Sequence, residues 1–191
     1  MYGNVLGASA LERMISCGEM ILDPFEERFL GLAHYRLHAG AIYREDLAGG
    51  DDKLAIVQRI DGESPALILQ PNQYLLLEIR ENVVLPEGIY GRLTAASTLI
   101  ERGFLVNSGK VDAGYGAMSQ DRQPILVGIK NLTDRRNHLD LASGIAHIEF
   151  VDLRGTESRF GGFSNESLSS FAQRTERVVR AGTDSCEPQS D

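Results

Sequence analysis

The chain has 191 residues, 42% hydrophobic and 24% charged, with a formal net charge of −8 at pH 7. That is ordinary globular usage and enough apolar material for one sizeable core, which excludes disorder over most of the length. So acidic a balance also excludes the clustered Lys and Arg by which proteins hold polymeric DNA or RNA, while a local pocket of donors can still take a small nucleotide.

In chain order, Ser9-Ala10-Leu11-Glu12 fits a capping box: Ser9 accepts from a backbone N–H and Glu12 reaches back to the cap's own N–H. A short helix is expected there, with Leu11, Met14 and Ile15 on one face and Gly18 ending it at positive φ. Ile21-Leu22-Asp23-Pro24-Phe25 then turns the chain, because proline fixes its own φ and biases Asp23 toward extended backbone. Gly49-Gly50-Asp51-Asp52 reads as a mobile surface loop.

From about Ala66 to Leu153, short apolar runs separated by Pro, Gly and Asn predict an all-β sandwich or barrel. The strands expected are Ala66–Leu69, Tyr74–Ile79, Gly88–Leu93, Phe104–Val106, Ile125–Asn131 and Ile145–Leu153, with turns at Gln70-Pro71-Asn72 and Leu85-Pro86-Glu87-Gly88. After about Gly155 apolar density falls. Leu168, Phe171 and Val178 can line one side of a helix between Asn165 and Arg180, against which Thr175 and serine pairs count, and the last ten residues are expected to be disordered. The division predicted is a β domain over residues 1–155 and a polar tail over 156–191.

Cys17 and Cys186 match neither a metal spacing nor a disulfide framework, so a reducing cytoplasm is the expected setting. No apolar run approaches the roughly 18 residues of a membrane helix, and the N-terminus lacks the order of a signal peptide, so no membrane partner is expected. The four histidines, His34, His38, His138 and His147, fall in no zinc pattern, although His34 and His38 are spaced to share a face, and a protein-bound metal is not expected. No Walker loop, dinucleotide fingerprint or nucleophile elbow is present.

Two places carry candidate chemistry. Ser97 and Thr98, near the start of a short helical turn, can donate to phosphate oxygens beside free backbone N–H groups, or one of them merely caps the turn. Asp112, preceding Gly114, reads as a turn carboxylate serving backbone hydrogen bonds, and its neighbour Tyr115 as a half-buried strand aromatic.

Three segments taken in order resemble bacterial and archaeal dCTP deaminases, of the superfamily that also holds the dUTPases, over roughly residues 4 to 153. They are Met20-Ile21-Leu22-Asp23-Pro24-Phe25 with Tyr35-Arg36-Leu37 downstream; Gly91-Arg92-Leu93-Thr94-Ala95-Ala96-Ser97-Thr98-Leu99-Ile100-Glu101-Arg102-Gly103-Phe104; and Val111-Asp112-Ala113-Gly114-Tyr115-Gly116. Ile125 to Asn131 continues the set where the family has a strand ending in Asn. The resemblance implies a mainly β fold, a distorted barrel or jelly roll of the dUTPase type with a short N-terminal helix. It also implies a homotrimer with sites between subunits, a pyrimidine nucleotide ligand of the dCTP or dUTP class, and Mg²⁺ arriving on the triphosphate. By resemblance the nucleotide-binding candidates are Ser97, Thr98, Arg102, Asp112, Tyr115 and His147.

The departures from that pattern bear on chemistry. Deamination of a cytosine ring without zinc needs a carboxylate to take a proton from water and return it to the leaving amine. The family uses glutamate, and Gly128 stands at that position. Ala96 replaces a phosphate-contacting Arg or Lys, Glu101 replaces a second arginine with Arg102 one residue later, His34 replaces an aspartate and His147 a glutamine near the base. The stretch from Asn107 to Val111 is about two residues shorter than usual, and Ala117 to Gln123 is longer. The function expected is nucleotide binding without deaminase turnover. The alternatives are an active dCTP deaminase or related hydrolase with Glu101 or Asp112 as substitute carboxylate, and a protein-interaction module on the same scaffold.

Overall fold

The computed structural model describes residues 4–46, 53–60, 66–107, 109–113 and 124–154. The expectations for the 49–52 loop, the tail after residue 155 and Tyr115 fall outside them.

Helix α1 spans Ala8–Ser16. Its N-cap is Gly7 in extended backbone, with no side-chain cap, so the capping box expected at Ser9 and Glu12 does not form. The reason is tertiary: the first free donor, the Ala8 N–H, bonds the Leu32 carbonyl at 2.9 Å, and Ser9 already lies inside the helix. Leu11 and Met14 are buried. Gly18 ends the helix as expected, at φ +74°, with the Glu19 N–H bonding Met14 O at 2.9 Å and the Gly18 N–H bonding Ile15 O at 3.1 Å, the two bonds of a Schellman motif.

The strands among the described residues are β1 Asn4–Val5, β2 Ile21–Asp23, β3 Tyr35–Leu37, β4 Ala39–Asp46, β5 Lys53–Arg59, β6 Leu67–Leu69, β7 Tyr74–Ile79, β8 Asn82–Val84, β9 Ile89–Ala95, β10 Phe104–Asn107, β11 Lys110–Val111, β12 Leu126–Asn131, β13 Asn137–Leu139 and β14 Ala146–Asp152. A short helix α2, Ser97–Glu101, links β9 to β10. The first sheet runs β1-β14-β9-β11, with β3 also pairing with β14, and the second runs β10-β12-β7-β4-β5. Both are antiparallel, β2–β8 and β6–β13 form two-stranded ribbons, and none of these pairings closes a barrel. The fold is mainly β, as expected.

Period-two alternation sends one face of each sheet inward. Leu75, Leu77 and Ile79 of β7, Val127 and Ile129 of β12, and Ala146, Ile148 and Phe150 of β14 share one buried cluster. Fully burying a Leu, Ile or Phe contributes roughly 1.5–3 kcal/mol, so this cluster dominates the fold's stability. The strand-ending Asn131 is completely buried. Its Nδ2 donates to the carbonyls of Leu69, Gln70 and Arg135 at 3.2, 3.1 and 2.8 Å, and its Oδ1 accepts from the Thr133 N–H and Oγ1 at 3.0 and 2.8 Å. One side chain thus ties the β6–β7 turn to the end of β12.

Candidate functional site

The register of the second sheet lays its outward residues in rows. Leu105, Lys130 and Tyr74 form one row across β10, β12 and β7; Asn107, Gly128 and Leu76 form the next; Leu126 and Glu78 form the third. Gly128, the position where a deaminase-type carboxylate was sought, is therefore on the outward face. It is not an open gap: a Cβ built on Gly128 would lie 2.4 Å from the Tyr74 hydroxyl oxygen and 2.9 Å from its ring. Tyr74 fills the space that a side chain on Gly128 would need. Tyr74 is 48% exposed, so the residue is part covered and part in solvent.

One row away on the same face stands a carboxylate that sequence reasoning passed over. Glu78 accepts a hydrogen bond from the buried Tyr43 hydroxyl at 2.8 Å. Burial first, then the bond to Glu78 and its charge, push the Tyr43 phenol well above its ordinary pKa, so it stays protonated and keeps donating. Diagonal neighbours across an antiparallel pair are about 7–8 Å apart, which is the scale of the Glu78 to Gly128 separation. The hydropathy pattern shows only that β7 alternates. The register with β4 is what brings Tyr43 to Glu78.

Ser97 and Thr98 begin α2, but Ala96 is its N-cap and no side chain caps it, so the capping alternative for these hydroxyls fails. Both are exposed, while Leu99 anchors the turn in the core. Glu101 and Arg102 are exposed at the far end of α2, where the Arg102 carbonyl accepts from Asn137 Nδ2 at 2.7 Å.

The half-buried Asp112 lies elsewhere. Strand β11 pairs Lys110 with Arg92 and Val111 with Gly91, so Asp112 comes level with the Tyr90 end of β9. Ser97 is seven residues further along that strand's direction, about 20 Å at strand rise. Asp112 and α2 thus lie toward opposite ends of β9.

His147 belongs with the Ser97 end. In β14 it stands opposite Thr94 of β9 and Arg36 of β3, and its ring stacks on His34 with centroids 4.4 Å apart at 30°. Burial, then the neighbouring His34 and Arg36, push the His147 pKa below its ordinary value, with Glu149 opposing. His34 and His38 do not share a face. His38 is buried, with Nδ1 bonded to Glu81 Oε1 at 2.8 Å and its backbone N–H donating to Glu81 Oε2 at 2.9 Å. Among the described residues no group of three His, Cys, Asp or Glu side chains is placed to hold a metal ion, and no helix is long and apolar enough to cross a membrane.

A family model described as dCTP deaminase-like matches residues 5–153. Among curated proteins, a dUMP-forming dCTP deaminase of Mycobacterium bovis is 29% identical over 117 residues, covering 55% of this chain and 60% of the relative. A dCTP deaminase of Pyrococcus horikoshii is 32% identical over 97 residues, covering 51% of this chain and 56% of the relative. The chain thus spans less than two thirds of the length of these relatives. Among solved structures, 2'-deoxycytidine 5'-triphosphate deaminase from Agrobacterium tumefaciens aligns with a TM-score of 0.59 at 13% identity, over 92% of this chain and 55% of that one, a likeness of fold.

Proposed function

The chain belongs to the dCTP deaminase-like family, and we propose that it binds a pyrimidine deoxynucleotide without deaminating it. The observation that carries this reading is Tyr74 lying over Gly128. The reaction needs a carboxylate positioned to move a proton between water and the leaving amine, and an error of about 1 Å in such a group costs on the order of 10²-fold in rate. Glycine supplies no such group, and the Tyr74 ring stands in the space that one would occupy.

Binding is assigned to Ser97, Thr98, Arg102 and His147 from one copy and to Asp112 and Tyr115 from another. The separation of Ser97 from Asp112 along β9 supports a homotrimer whose sites form between subunits. Mg²⁺ enters as part of the substrate-like triphosphate. In this reading the protein acts as a nucleotide sensor, sequestering protein or structural subunit in a reducing compartment.

A second reading, a working enzyme with a relocated carboxylate, draws support from Glu78, oriented by Tyr43 on the same face as Gly128. Glu101 and Asp112 are less suited to that role, since Glu101 is exposed at the end of α2 and Asp112 lies on the first sheet.

The experiment is equilibrium binding of dCTP and dUTP with Mg²⁺, followed by chromatography of the products. Saturable binding with no dUTP or dUMP above a heat-killed control is the expected result. Product at enzyme-like rates, abolished by Glu78→Gln, moves the assignment to the second reading. No thermal stabilisation by either nucleotide at millimolar concentration favours an interaction module, since any ligand of the native state raises its stability.

A further inference from the structure

We propose that His34, His147 and Arg36 form an oxyanion site on the outer face of the first sheet, taking a phosphate or polyphosphate group. The inference deepens the nucleotide reading at His147 and rests on it only for where the phosphate comes from.

The three side chains are brought together by independent constraints. Arg36 and His147 are cross-strand partners in the β3–β14 register, with Thr94 beside His147 in β9. The His34 ring lies flat against His147 and occupies the space over Gly31, where a Cβ would come within 2.5 Å of it. The Arg36 stem crosses Gly144 in the same manner, with its Cγ 2.5 Å from where a Cβ would stand. Two glycines thus make room for two of the three side chains.

The charge around them is unbalanced. Glu149 is the carboxylate on the same face, and it is engaged by Arg92 through Nε at 3.1 Å and again through Nη2. Arg36 has no acidic partner among the described residues. That guanidinium stands out in a chain with 27 acidic and 19 basic residues, where the overall field opposes it. An anion set against His147 and the Arg36 guanidinium offsets the burial and positive charge that hold the His147 proton affinity down. Oxyanion binding and protonation are therefore linked.

The groups facing His147 are His34 from the segment before β3, Arg36 from β3, and Glu149 on its own strand, itself held by Arg92 of β9. Binding an anion raises the His147 pKa from its lowered free value. Affinity gained this way is fully present below the free-state pKa and is lost as pH rises through the bound-state pKa.

Ring-proton NMR of the full chain, which has four histidines, reads the site directly. His34→Gln and His147→Gln assign the two signals, and inorganic phosphate is titrated at about pH 6 and about pH 8, either side of the ordinary histidine range. The expected result is that both signals move together, that phosphate binds several-fold tighter at the lower pH, and that Arg36→Gln weakens it about tenfold. Phosphate that moves neither signal, or moves them with the same affinity at both pH values, overturns the inference.

A parallel titration with dUTP and Mg²⁺ separates the sources. Movement of the same signals assigns the site to a nucleotide's phosphates, and movement with phosphate alone assigns it to free phosphate. Thermal stabilisation by dUTP, while neither dUTP nor phosphate moves these signals, leaves the nucleotide reading standing and removes this one.

Discussion

The packing of Tyr74 on Gly128 is testable as a coupling energy. In Gly128→Ala the new Cβ sits 2.4 Å from the Tyr74 hydroxyl and 3.0 Å from Cζ, so the ring must move. With 48% of the residue already exposed, it can swing outward without disturbing the backbone. A tyrosine buries on the order of 200 Å² when fully covered, so about half of that is covered here. Losing roughly 50 Å² of the contact costs about 1 kcal/mol at ~25 cal/mol per Å². Against this, alanine restricts the unfolded chain, which stabilises by about 0.4–1 kcal/mol.

The single variant should therefore be neutral to about 1 kcal/mol less stable. In a Tyr74→Ala background the clash is gone, and the same substitution should stabilise by about 0.5 kcal/mol. Urea unfolding of the four proteins gives a coupling near 1 kcal/mol, above the ~0.3–0.5 kcal/mol scatter of independent sites. A coupling inside that scatter refutes the claim that Tyr74 occupies the Gly128 side-chain space. The cycle also bears on chemistry: Gly128→Glu with Ala96→Arg should create dCTP deamination in an inactive parent only when Tyr74 is reduced to alanine as well.

Asn131→Ala removes the side-chain partner of the Leu69 and Gln70 carbonyls and of the Thr133 N–H, while the Thr133 hydroxyl and Arg135 carbonyl keep each other, and it should cost about 3 kcal/mol by urea unfolding, since each unsatisfied buried group costs ~1–3 kcal/mol. Tyr43→Phe removes the donor to Glu78, should lower stability by about 1–2 kcal/mol, and should do so less when Glu78→Gln is already present. For pH, the folded-state pKa of His147 lies below its unfolded value near 6.5, so the unfolded chain binds the extra proton first. Stability is then lost as pH falls from above 6.5 through the folded pKa. His147→Gln should flatten that part of the melting-temperature profile, and an unchanged profile refutes the assignment.

Every strand expected from Ala66 onward is present, because each is a run of alternating or continuous apolar residues bounded by turn formers, such as Tyr74–Ile79 between Asn72 and Glu81. The β4–β5 hairpin was not legible: Arg44, Glu45, Asp46 and Lys53 interrupt its apolar pattern, and β4 is held by pairing with β7 on its other edge. The two-residue strands β1 and β11 are too short to carry any period, and the β14 and β9 ladders define them. At the N-terminus local chemistry pointed to a capping box, but the Leu32 carbonyl satisfied the free Ala8 donor and moved the helix start to Ala8. Within the site, Gly128 could be identified from the sequence as lacking a carboxylate. That Tyr74 covers it depends on the β7–β12 register, which the sequence pattern leaves open.

Three departures from the deaminase pattern, Gly128, His34 and His147, are each packed against a ring, which bears on whether the pocket is eroded or rebuilt. Random loss of a glutamate leaves a void or a water-filled notch, and an unfilled cavity costs about 24 cal/mol per Å³. Here the missing side chain at Gly128 is matched by the bulk of Tyr74. His34 and His147, which by resemblance stand in place of an aspartate and a glutamine, stack on each other. With a ring against each of the three, the space is filled at both places. On the proposed reading such a surface holds a nucleotide's negative charge rather than moving a proton at its base, and Glu78 on the same face as Gly128 is the carboxylate that the product assay weighs against that reading.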